Sequence, residues 1–394
     1  MTRRCTAAFL FALAIAAGAF AQNVEEEGGA SQARTQAGKG YTAALVMDMN
    51  SRRILFEDNI HTPFPTASMA KMMTLLIVME EIRDGRLQWD TAVTVSPRAA
   101  NMGGSQVYLR AGSVWPVKNL VIATMVHSAN DAAQALAERV AGSSEAFADL
   151  MNDRAQQLGL KNSRFVDPHG LPPDTPGGPQ NVMSAHDLAV LGIELMKHPF
   201  MRQLAVIAEM PFRNGTLERI YNPNRLVNPS RPEYYADATG IKTGYSAPAG
   251  YCITASAKRG DIHLVAVVMG AATSRGPQSS FGIASRLMNR VFLEHRVVTV
   301  VKKGTPVGQV TVANGRAKTV QALAGTDVKA MVERGSEKNV KVSFSGGAVN
   351  APVRQGQAVG TVVVQQGHEI VARIPAVASS AVSQQSWWRK FWPF

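Results

Sequence analysis

Residues 65–74 of the chain have the sequence Pro-Thr-Ala-Ser-Met-Ala-Lys-Met-Met-Thr, which opens a Met- and Leu-rich apolar run. The run predicts a buried helix from Ser68 to about Asp84, with Gly85 ending it. Ser68 and Lys71 are three positions apart, so on a helix they share a face and the lysine amine can reach the serine hydroxyl. A lysine deprotonates a serine only while it is itself neutral, and burial or a nearby cation lowers its pKa in that direction. Alone the pattern is weak evidence, because a chain of this composition contains about one Ser-x-x-Lys by chance.

A second motif, Ser128-Ala129-Asn130, lies between two runs of helical pattern at 117–127 and 130–140. The Ser128 hydroxyl can pass a proton to a leaving amine, and the Asn130 amide can hold the backbone of a peptide substrate. Serine and asparagine between helices are far more often caps, so this motif alone has low specificity.

A third motif, Lys242-Thr243-Gly244, comes just before a segment with strand character. A cation and a hydroxyl at this place can bind a terminal carboxylate, and the glycine would let a substrate chain lie close along the strand edge. Chance alone gives this triplet on the order of 0.1 times in such a chain, so it is the most specific of the three.

The order of the three motifs is the strongest functional signal in the sequence. Ser-x-x-Lys, Ser-x-Asn and Lys-Thr-Gly occur together in penicillin-binding proteins and class A β-lactamases. With the flanking segments 65–74, 127–132 and 240–245, the chain resembles the D-alanyl-D-alanine carboxypeptidases among the low-molecular-mass penicillin-binding proteins, over about residues 40–394. The resemblance implies an enzyme without a cofactor that removes the terminal D-alanine from peptidoglycan pentapeptides and is inhibited by β-lactam antibiotics.

The resemblance also implies a role for each motif residue. Ser68 would form the acyl ester after Lys71 takes its proton, and Ser128 would relay a proton to the departing D-alanine. Asn130 would orient the peptide, and Lys242 and Thr243 would bind its terminal carboxylate. Gly244 would belong to the strand that binds the substrate, and the backbone N–H groups of Ser68 and Tyr245 would stabilise the oxyanion. Lys242 is also expected to help keep Lys71 neutral.

Two positions depart from the pattern of that family. Ala129 stands in the middle of the second motif where the family commonly has glycine, and little effect is expected because the flanking residues carry the chemistry. Some members place an arginine beyond the strand that follows Lys-Thr-Gly, where it helps to bind the carboxylate. The corresponding region here is 270–275, and the sequence leaves open whether Arg275 reaches the substrate.

Strand and helix patterns predict an α+β domain at 40–296, with a helical block inserted into an antiparallel sheet. The resemblance implies that this is a catalytic domain of the β-lactamase/transpeptidase-like kind. The predicted elements outside the motifs are strands at 44–48, 53–56, 251–255 and 263–268, and helices at 144–158, 185–197 and 278–293. A Pro- and Gly-rich loop at 167–179 is predicted to be functional or mobile. Short alternating segments at 297–380 predict a separate all-β domain.

The N-terminus has the pattern of a secretory signal peptide: two arginines, a short apolar run and the small-x-small site at 19–21. We expect cleavage after Ala21, with 22–39 as a flexible leader; an uncleaved anchor is the alternative. Cys5 would leave with the signal peptide. Cys252 would then be the only cysteine of the mature chain, and no internal disulfide could form.

The net charge of +12 suits an anionic partner such as a phospholipid surface or an acidic polymer. Nucleic acid is not expected, because the body of the chain has no basic stripe interleaved with aromatics and the chain is predicted to be exported. Residues 381–394 end in Trp-Trp-Arg-Lys-Phe-Trp-Pro-Phe, which predicts a peripheral anchor at the periplasmic face of the inner membrane. The alternative is a tail packed on the β-domain.

Other polar and reactive residues are expected to be structural. His127 adjoins the second motif, but no acid partner is indicated for it. The remaining candidates lack the spacing of zinc ligands, so no metal is predicted; they are His169, His186 and His198. Cys252 lies in an apolar strand pattern typical of an inert core thiol, and Asp131 is expected to support a helix start.

Three other functions remain as alternatives. A class A β-lactamase needs a glutamate that activates the deacylating water, and the matching stretch 162–167 has none. A peptidoglycan endopeptidase would use the same residues and stays open. A scaffold that binds penicillin without turnover is disfavoured by the intact Ser68 and Lys71.

Overall fold

The computed structural model of the protein describes residues 39–385, apart from 174, 176, 213, 214, 337, 338 and 368. The predicted signal peptide, the leader up to residue 38 and residues 386–394 of the predicted anchor lie outside the described residues. The predictions made for those segments therefore stay predictions.

Residues up to 294 form a mixed part built from helices and strands. Its strands are β1 (Ala43–Asp48), β2 (Ile54–Asp58), β3 (Phe64–Pro65), β4 (Ala92–Thr94), β5 (Val114–Pro116), β6 (Val182–Met183), β7 (Glu209–Pro211), β8 (Arg219–Tyr221), β9 (Ala238–Ser246), β10 (Gly250–Arg259) and β11 (Ile262–Ala271). Its α-helices are α1 (Lys71–Arg83), α2 (Pro97–Ala100), α3 (Val117–Ile122), α4 (Asn130–Ala141), α5 (Ser144–Gln157), α6 (Ala185–Leu195), α7 (Pro199–Ala205) and α8 (Ser280–Glu294).

The centre of this part is a five-stranded antiparallel sheet with the order β2-β1-β11-β10-β9. Alternate residues of β1 belong to two different cores: Leu45 and Met47 pack with the helical block, whereas Ala44 and Val46 pack with α8. Because helices cover both faces, β1 and β11 are almost continuously apolar rather than alternating. The predicted α+β class, with a helical block inserted into an antiparallel sheet, is confirmed, and β9 forms one edge of that sheet.

The helix predicted from Ser68 is divided into two pieces. Ala67–Ala70 form a 3₁₀ turn, and α1 begins only at Lys71. Side chains three positions apart are eclipsed in a 3₁₀ turn, so Ser68 and Lys71 are brought closer than α-helical geometry alone requires. The first nine residues of α1 are buried on all sides because the helix runs through the middle of the larger core.

The predicted helix at 117–127 is also divided. After α3, residues Ala123–His127 form a π-helical turn that ends at Ser128 in the left-handed region, with φ of +64°. Such π turns are frequently found at functional sites. The wide turn and the positive φ reverse the chain and set Ser128 between α3 and α4.

Residues from 295 onward form a sheet-rich part. Its strands are β12 (His295–Val301), β13 (Pro306–Ala313), β14 (Thr319–Ala324), β15 (Val328–Glu333), β16 (Val340–Ser345), β17 (Val349–Asn350), β18 (Ala358–Gln366) and β19 (Glu369–Ala378). Six of them make a sheet in the order β16-β18-β19-β14-β13-β17, against which the β12–β15 pair packs over a valine-rich core. The all-β character predicted for this region is confirmed, and the boundary at 296/297 stays a prediction.

Polar contacts between the two parts join β15 to the β1–β2 and β10–β11 turns. Arg53 donates to the Met331 carbonyl at 2.8 Å, and Lys329 pairs with Asp261 at 2.8 Å. The side chain of Met331 belongs to the core beneath α8, so the link combines polar and apolar contacts.

Candidate active site

Ser68 and Lys71 form the first contact of the site. Lys71 Nζ lies 2.8 Å from Ser68 Oγ and donates to the His169 carbonyl at 2.6 Å. The Lys71 side chain is fully buried, whereas Ser68 is partly open to a cleft. A nucleophile within hydrogen-bond reach of a buried base is the arrangement that nucleophilic catalysis requires.

The surroundings of Lys71 favour its neutral form. Burial and then the positive charge of Lys242 lower the pKa of Lys71 well below its ordinary value of 10.5. The carboxylates of Asp167 and Asp131 oppose that shift. The direction of the net shift is the one that a proton acceptor for serine needs near neutral pH.

Lys242 links the second and third motifs. Its Nζ lies 2.7 Å from Ser128 Oγ and 3.1 Å from the Thr243 carbonyl oxygen. Burial lowers the pKa of Lys242 to about 7, so this amine can gain or lose a proton under physiological conditions. The Ser128 hydroxyl and the Lys242 amine therefore form a pair through which a proton can pass.

Asn130 presents an unsatisfied acceptor to the cleft. Its Nδ2 donates to the Gly103 carbonyl at 2.6 Å and its backbone N–H donates to the Ser105 carbonyl at 2.7 Å. Its Oδ1 is buried and has no hydrogen-bond partner among the described residues. A buried carbonyl oxygen without a partner is costly, and a peptide N–H of a bound substrate would satisfy it.

Asp131 holds the loop on which Asn130 depends. The carboxylate is fully buried and accepts from the backbone N–H groups of Val107, Leu109 and Ala132 at 2.9 to 3.2 Å. The expected role at a helix start is thus only part of its function, because two of its three donors belong to the 103–109 segment. Sequence spacing alone gave no sign of that contact.

The packing of Gly244 gives a structural reason for a glycine at this position. A Cβ at this position would lie 2.7 Å from the Thr66 carbonyl oxygen and 3.2 Å from the Met69 nitrogen. The glycine therefore allows β9 to lie directly against the 3₁₀ turn of Ser68. The expectation that it also lets a substrate chain lie close along the strand edge stays a prediction, and Gly244 does line the cleft.

A second glycine supports the same turn from the other side. Gly170 has φ of +79°, and a Cβ there would lie 2.0 Å from the Ala67 carbonyl oxygen. The Asp167 carboxylate accepts from the backbone N–H groups of His169 and Gly170 and from the Asn181 amide, which fixes this segment beneath Lys71. Part of the loop predicted at 167–179 is thus a wall of the site.

The cleft between these elements has a volume of about 470 Å³. The predicted site residues that line it are Ser68, Ser128, Asn130, Thr243, Gly244 and Tyr245. Lys71 and Lys242 lie immediately beneath that surface. Tyr245 is exposed, and its ring stacks on Tyr251 with the centroids 4.3 Å apart.

The cation that lines the cleft is Arg225, which the sequence patterns did not single out. Arg225 donates to the Ser274 carbonyl at 2.8 Å and to Glu233 at 3.2 Å, and its guanidinium lies 5.6 Å from the Phe281 ring centroid. The sequence left open whether Arg275 reaches the substrate; its side chain is exposed and is not among the residues that line the cleft. Arg225 precedes the third motif by 17 positions and begins a separate 3₁₀ turn, Arg225–Val227, so no local pattern connects it with the site.

Two residues expected to be structural have surroundings that fit that expectation. His127 Nδ1 contacts the backbone of Tyr221. Burial raises the pKa of the Cys252 thiol to about 12. Within the described ranges there is no cluster of three or more His, Cys, Asp or Glu side chains suited to a metal ion.

A family model for D-alanyl-D-alanine carboxypeptidases matches residues 30–273. The chain belongs to the D-alanyl-D-alanine carboxypeptidase family. A second model, for the C-terminal domain of penicillin-binding protein 5, matches residues 296–384 of this carboxypeptidase. These matches confirm the predicted resemblance, and they identify the chain as a serine peptidase of the low-molecular-mass penicillin-binding proteins.

Curated and solved relatives agree with this assignment. The carboxypeptidase is 32% identical to D-alanyl-D-alanine carboxypeptidase DacF of Bacillus subtilis, over 85% of this chain and 84% of that protein. Penicillin-binding protein 5 from Haemophilus influenzae superposes with a TM-score of 0.72 and 27% identity, covering 89% of this chain and all of the other. The match with penicillin-binding protein D2 from Listeria monocytogenes, solved in an ampicillin-bound form, covers 65% of this chain and 98% of that chain, with a TM-score of 0.55 and 27% identity.

Proposed function

We propose that this carboxypeptidase acts through an acyl-enzyme on Ser68, with the terminal D-Ala-D-Ala of a peptidoglycan pentapeptide in the cleft. The observation that supports this proposal most directly is the 2.8 Å contact between Ser68 Oγ and the buried amine of Lys71. Neutral Lys71 takes the hydroxyl proton, and Ser68 Oγ attacks the carbonyl carbon between the two D-alanines. The backbone N–H groups of Ser68 and Tyr245 stabilise the oxyanion.

Ser128 and Lys242 supply the proton that the leaving group needs. As the tetrahedral intermediate collapses, the C–N bond breaks and the amine of D-alanine receives a proton through Ser128 Oγ, which lies 2.7 Å from Lys242 Nζ. Lys71 passes the proton that it took from Ser68 to Lys242, which returns both amines to their starting states. Water then attacks the ester, neutral Lys71 accepts a proton from that water, and the proton returns to Ser68 Oγ as the ester bond breaks. The products are free D-alanine and a peptide shortened by one residue.

Recognition of the substrate is assigned to three sides of the cleft. The unpartnered Oδ1 of Asn130 accepts a peptide N–H, which orients the chain. Thr243 and Lys242 bind the terminal carboxylate, and Arg225 contributes a second cation from the 3₁₀ turn Arg225–Val227. Arg225→Ala should therefore raise KM for D-Ala-D-Ala peptides more than it lowers kcat, because it removes ground-state binding of the carboxylate.

A β-lactam is expected to trap the same serine, since the antibiotic carries an acyl group and a carboxylate in the positions of the substrate. The likeness to an ampicillin-bound relative supports this extension. A class A β-lactamase is disfavoured, because the 162–171 segment has no glutamate to activate the deacylating water. Its one carboxylate, that of Asp167, already accepts hydrogen bonds from His169, Gly170 and Asn181.

The cellular location proposed for the carboxypeptidase is the periplasmic face of the inner membrane. The signal pattern at 1–21 supports export, and the aromatic and basic residues at 386–394 support peripheral attachment. Among the residues that the structure describes, no helix is both long and apolar enough to cross a bilayer.

The first test is release of free D-alanine from a peptide ending in Lys-D-Ala-D-Ala. Wild type should release it, Ser68→Ala should not, and Ser343→Ala, a remote serine on β16, should behave as wild type. Release by Ser68→Ala at the wild-type rate would remove Ser68 from its role. Cleavage of a cross-linked dimeric peptide, with no release from the linear one, would instead establish an endopeptidase.

A further inference from the structure

The place where the chain leaves the sheet-rich part carries a cluster of exposed cations. Ser383 accepts from the Arg316 backbone N–H at 2.9 Å on one side of segment 382–385, and Val382 exchanges backbone hydrogen bonds with Val353 at 2.9 Å on the other. Arg316, in the β13–β14 turn, and Arg354, in the β17–β18 connection, therefore flank the last described residues, with backbones about 10 Å apart. Lys318 lies two residues beyond Arg316 in the same β13–β14 turn.

The three side chains of this exit cluster, Arg316, Lys318 and Arg354, are exposed. None of them forms an ion pair within the described part of the chain. The sequence contains no Asp or Glu at 305–326, 339–368 or 370–394. The cluster thus presents positive charge that no neighbouring carboxylate in those segments offsets.

We propose that the exit cluster docks on the anionic headgroups of a phospholipid bilayer and acts together with the aromatic tail. Trp387 is two residues beyond Gln385, so its Cα can be at most about 7 Å from that of Gln385. A membrane interface that holds the aromatic tail would therefore lie near the exit cluster, where the attraction of cations to headgroups is not fully screened.

The chemistry of attachment favours such a second contact. A short aromatic segment gives marginal membrane binding by itself, and stable attachment usually combines an inserted segment with a basic patch. The contacts that join the sheet-rich part to the catalytic part, Arg53 to Met331 and Lys329 to Asp261, do not involve the exit cluster. The cluster is therefore free to face a lipid surface. This inference rests on the proposed attachment and not on the chemistry of Ser68.

The same sheet provides a matched control. Lys302, Lys303 and Lys341 are also exposed, but they lie toward the opposite ends of the strands. Strand β13 has eight residues, which places Lys302 and Lys303 about 25 Å from the β13–β14 turn. At that distance their charges are screened from headgroups that touch the exit cluster.

The test is sedimentation of the full chain with vesicles of phosphatidylcholine alone or with 30% phosphatidylglycerol. Arg316→Gln/Lys318→Gln/Arg354→Gln should bind the anionic vesicles about 100-fold more weakly than wild type, from about fivefold per cation. Lys302→Gln/Lys303→Gln/Lys341→Gln should bind like wild type, and Arg316→Lys/Arg354→Lys should retain binding. High salt should abolish the difference between wild type and the first variant.

Several results would overturn the proposal. Equal losses in the two glutamine variants would show that net charge alone matters, and wild-type binding by the first variant would place the cluster away from the lipid. Weaker binding of that variant to soluble poly(glycerol phosphate), with vesicle binding unchanged, would identify an anionic polymer as the partner. Ser68→Ala should bind vesicles normally, so a failure of the catalytic assignment is distinguishable from a failure of this one.

Discussion

Replacing Gly170 by alanine should slow acylation of Ser68 by about 100-fold while leaving most of the fold intact. An added Cβ would lie 2.0 Å from the Ala67 carbonyl oxygen, and Cβ atoms essentially never approach a heavy atom closer than 3.0 Å. The turn that carries Ser68 must therefore move by about 1 Å. A displacement of that size at a reacting group costs about 100-fold in rate.

Alanine at Gly170 must also adopt φ of +79°, which adds a stability cost of about 1 to 2 kcal/mol. Gly260→Ala separates the two effects. Gly260 lies in the turn between β10 and β11 with φ of +58°, and a Cβ there would meet nothing within 4 Å. This control should lose similar stability and keep wild-type acylation.

The assay is the second-order rate constant for labelling by a fluorescent penicillin, together with thermal unfolding of both variants. A slow Gly170→Ala beside a fast Gly260→Ala would show that the position of the Ala67–Ala70 turn, which carries Ser68, limits acylation. Wild-type labelling by Gly170→Ala would refute the reasoning, because the turn would then tolerate the displacement. Loss of labelling in both variants would attribute the effect to destabilisation instead.

Three further outcomes are expected. Beside burial, the positive charge of Lys242 lowers the pKa of Lys71, and Lys242→Gln removes that charge. Lys71 should then lose its proton only at higher pH, so the acid limb of the pH profile for penicillin labelling should shift to higher pH. An unshifted limb would exclude this electrostatic role. Asp131→Ala leaves three backbone N–H groups without their acceptor and should lower the free energy of unfolding by about 3 kcal/mol in chemical denaturation. Acylation of Ser68 should also be slower, and an unchanged denaturation midpoint would contradict this expectation. Cys252, whose pKa is raised to about 12, should resist iodoacetamide at pH 8 until the chain is unfolded; rapid labelling of folded protein would show that the thiol is accessible.

The sequence predicted the elements that depend on local pattern. The structure contains the continuous apolar runs of β1 and β11, the buried helix after Ser68 and the short alternating strands beyond 297. These were predictable because the spacing of apolar residues along the sequence indicates which side of an element is buried. The helix boundaries were less well predicted. The 3₁₀ turn at Ala67–Ala70 and the π turn at Ala123–His127 arise from packing against β9 and α4, which a local pattern does not contain.

The sequence by itself determined the family and the residues to bring together, because three short motifs in a fixed order are specific even where each one is weak. Only the tertiary structure decided what surrounds them. Gly244 and Gly170 are required by the carbonyl groups of Thr66 and Ala67, and Arg225 reaches the cleft from a 3₁₀ turn 17 residues before Lys242. These contacts join segments far apart in sequence, so they are set by the packing of the sheet edge against the helical block rather than by any local pattern.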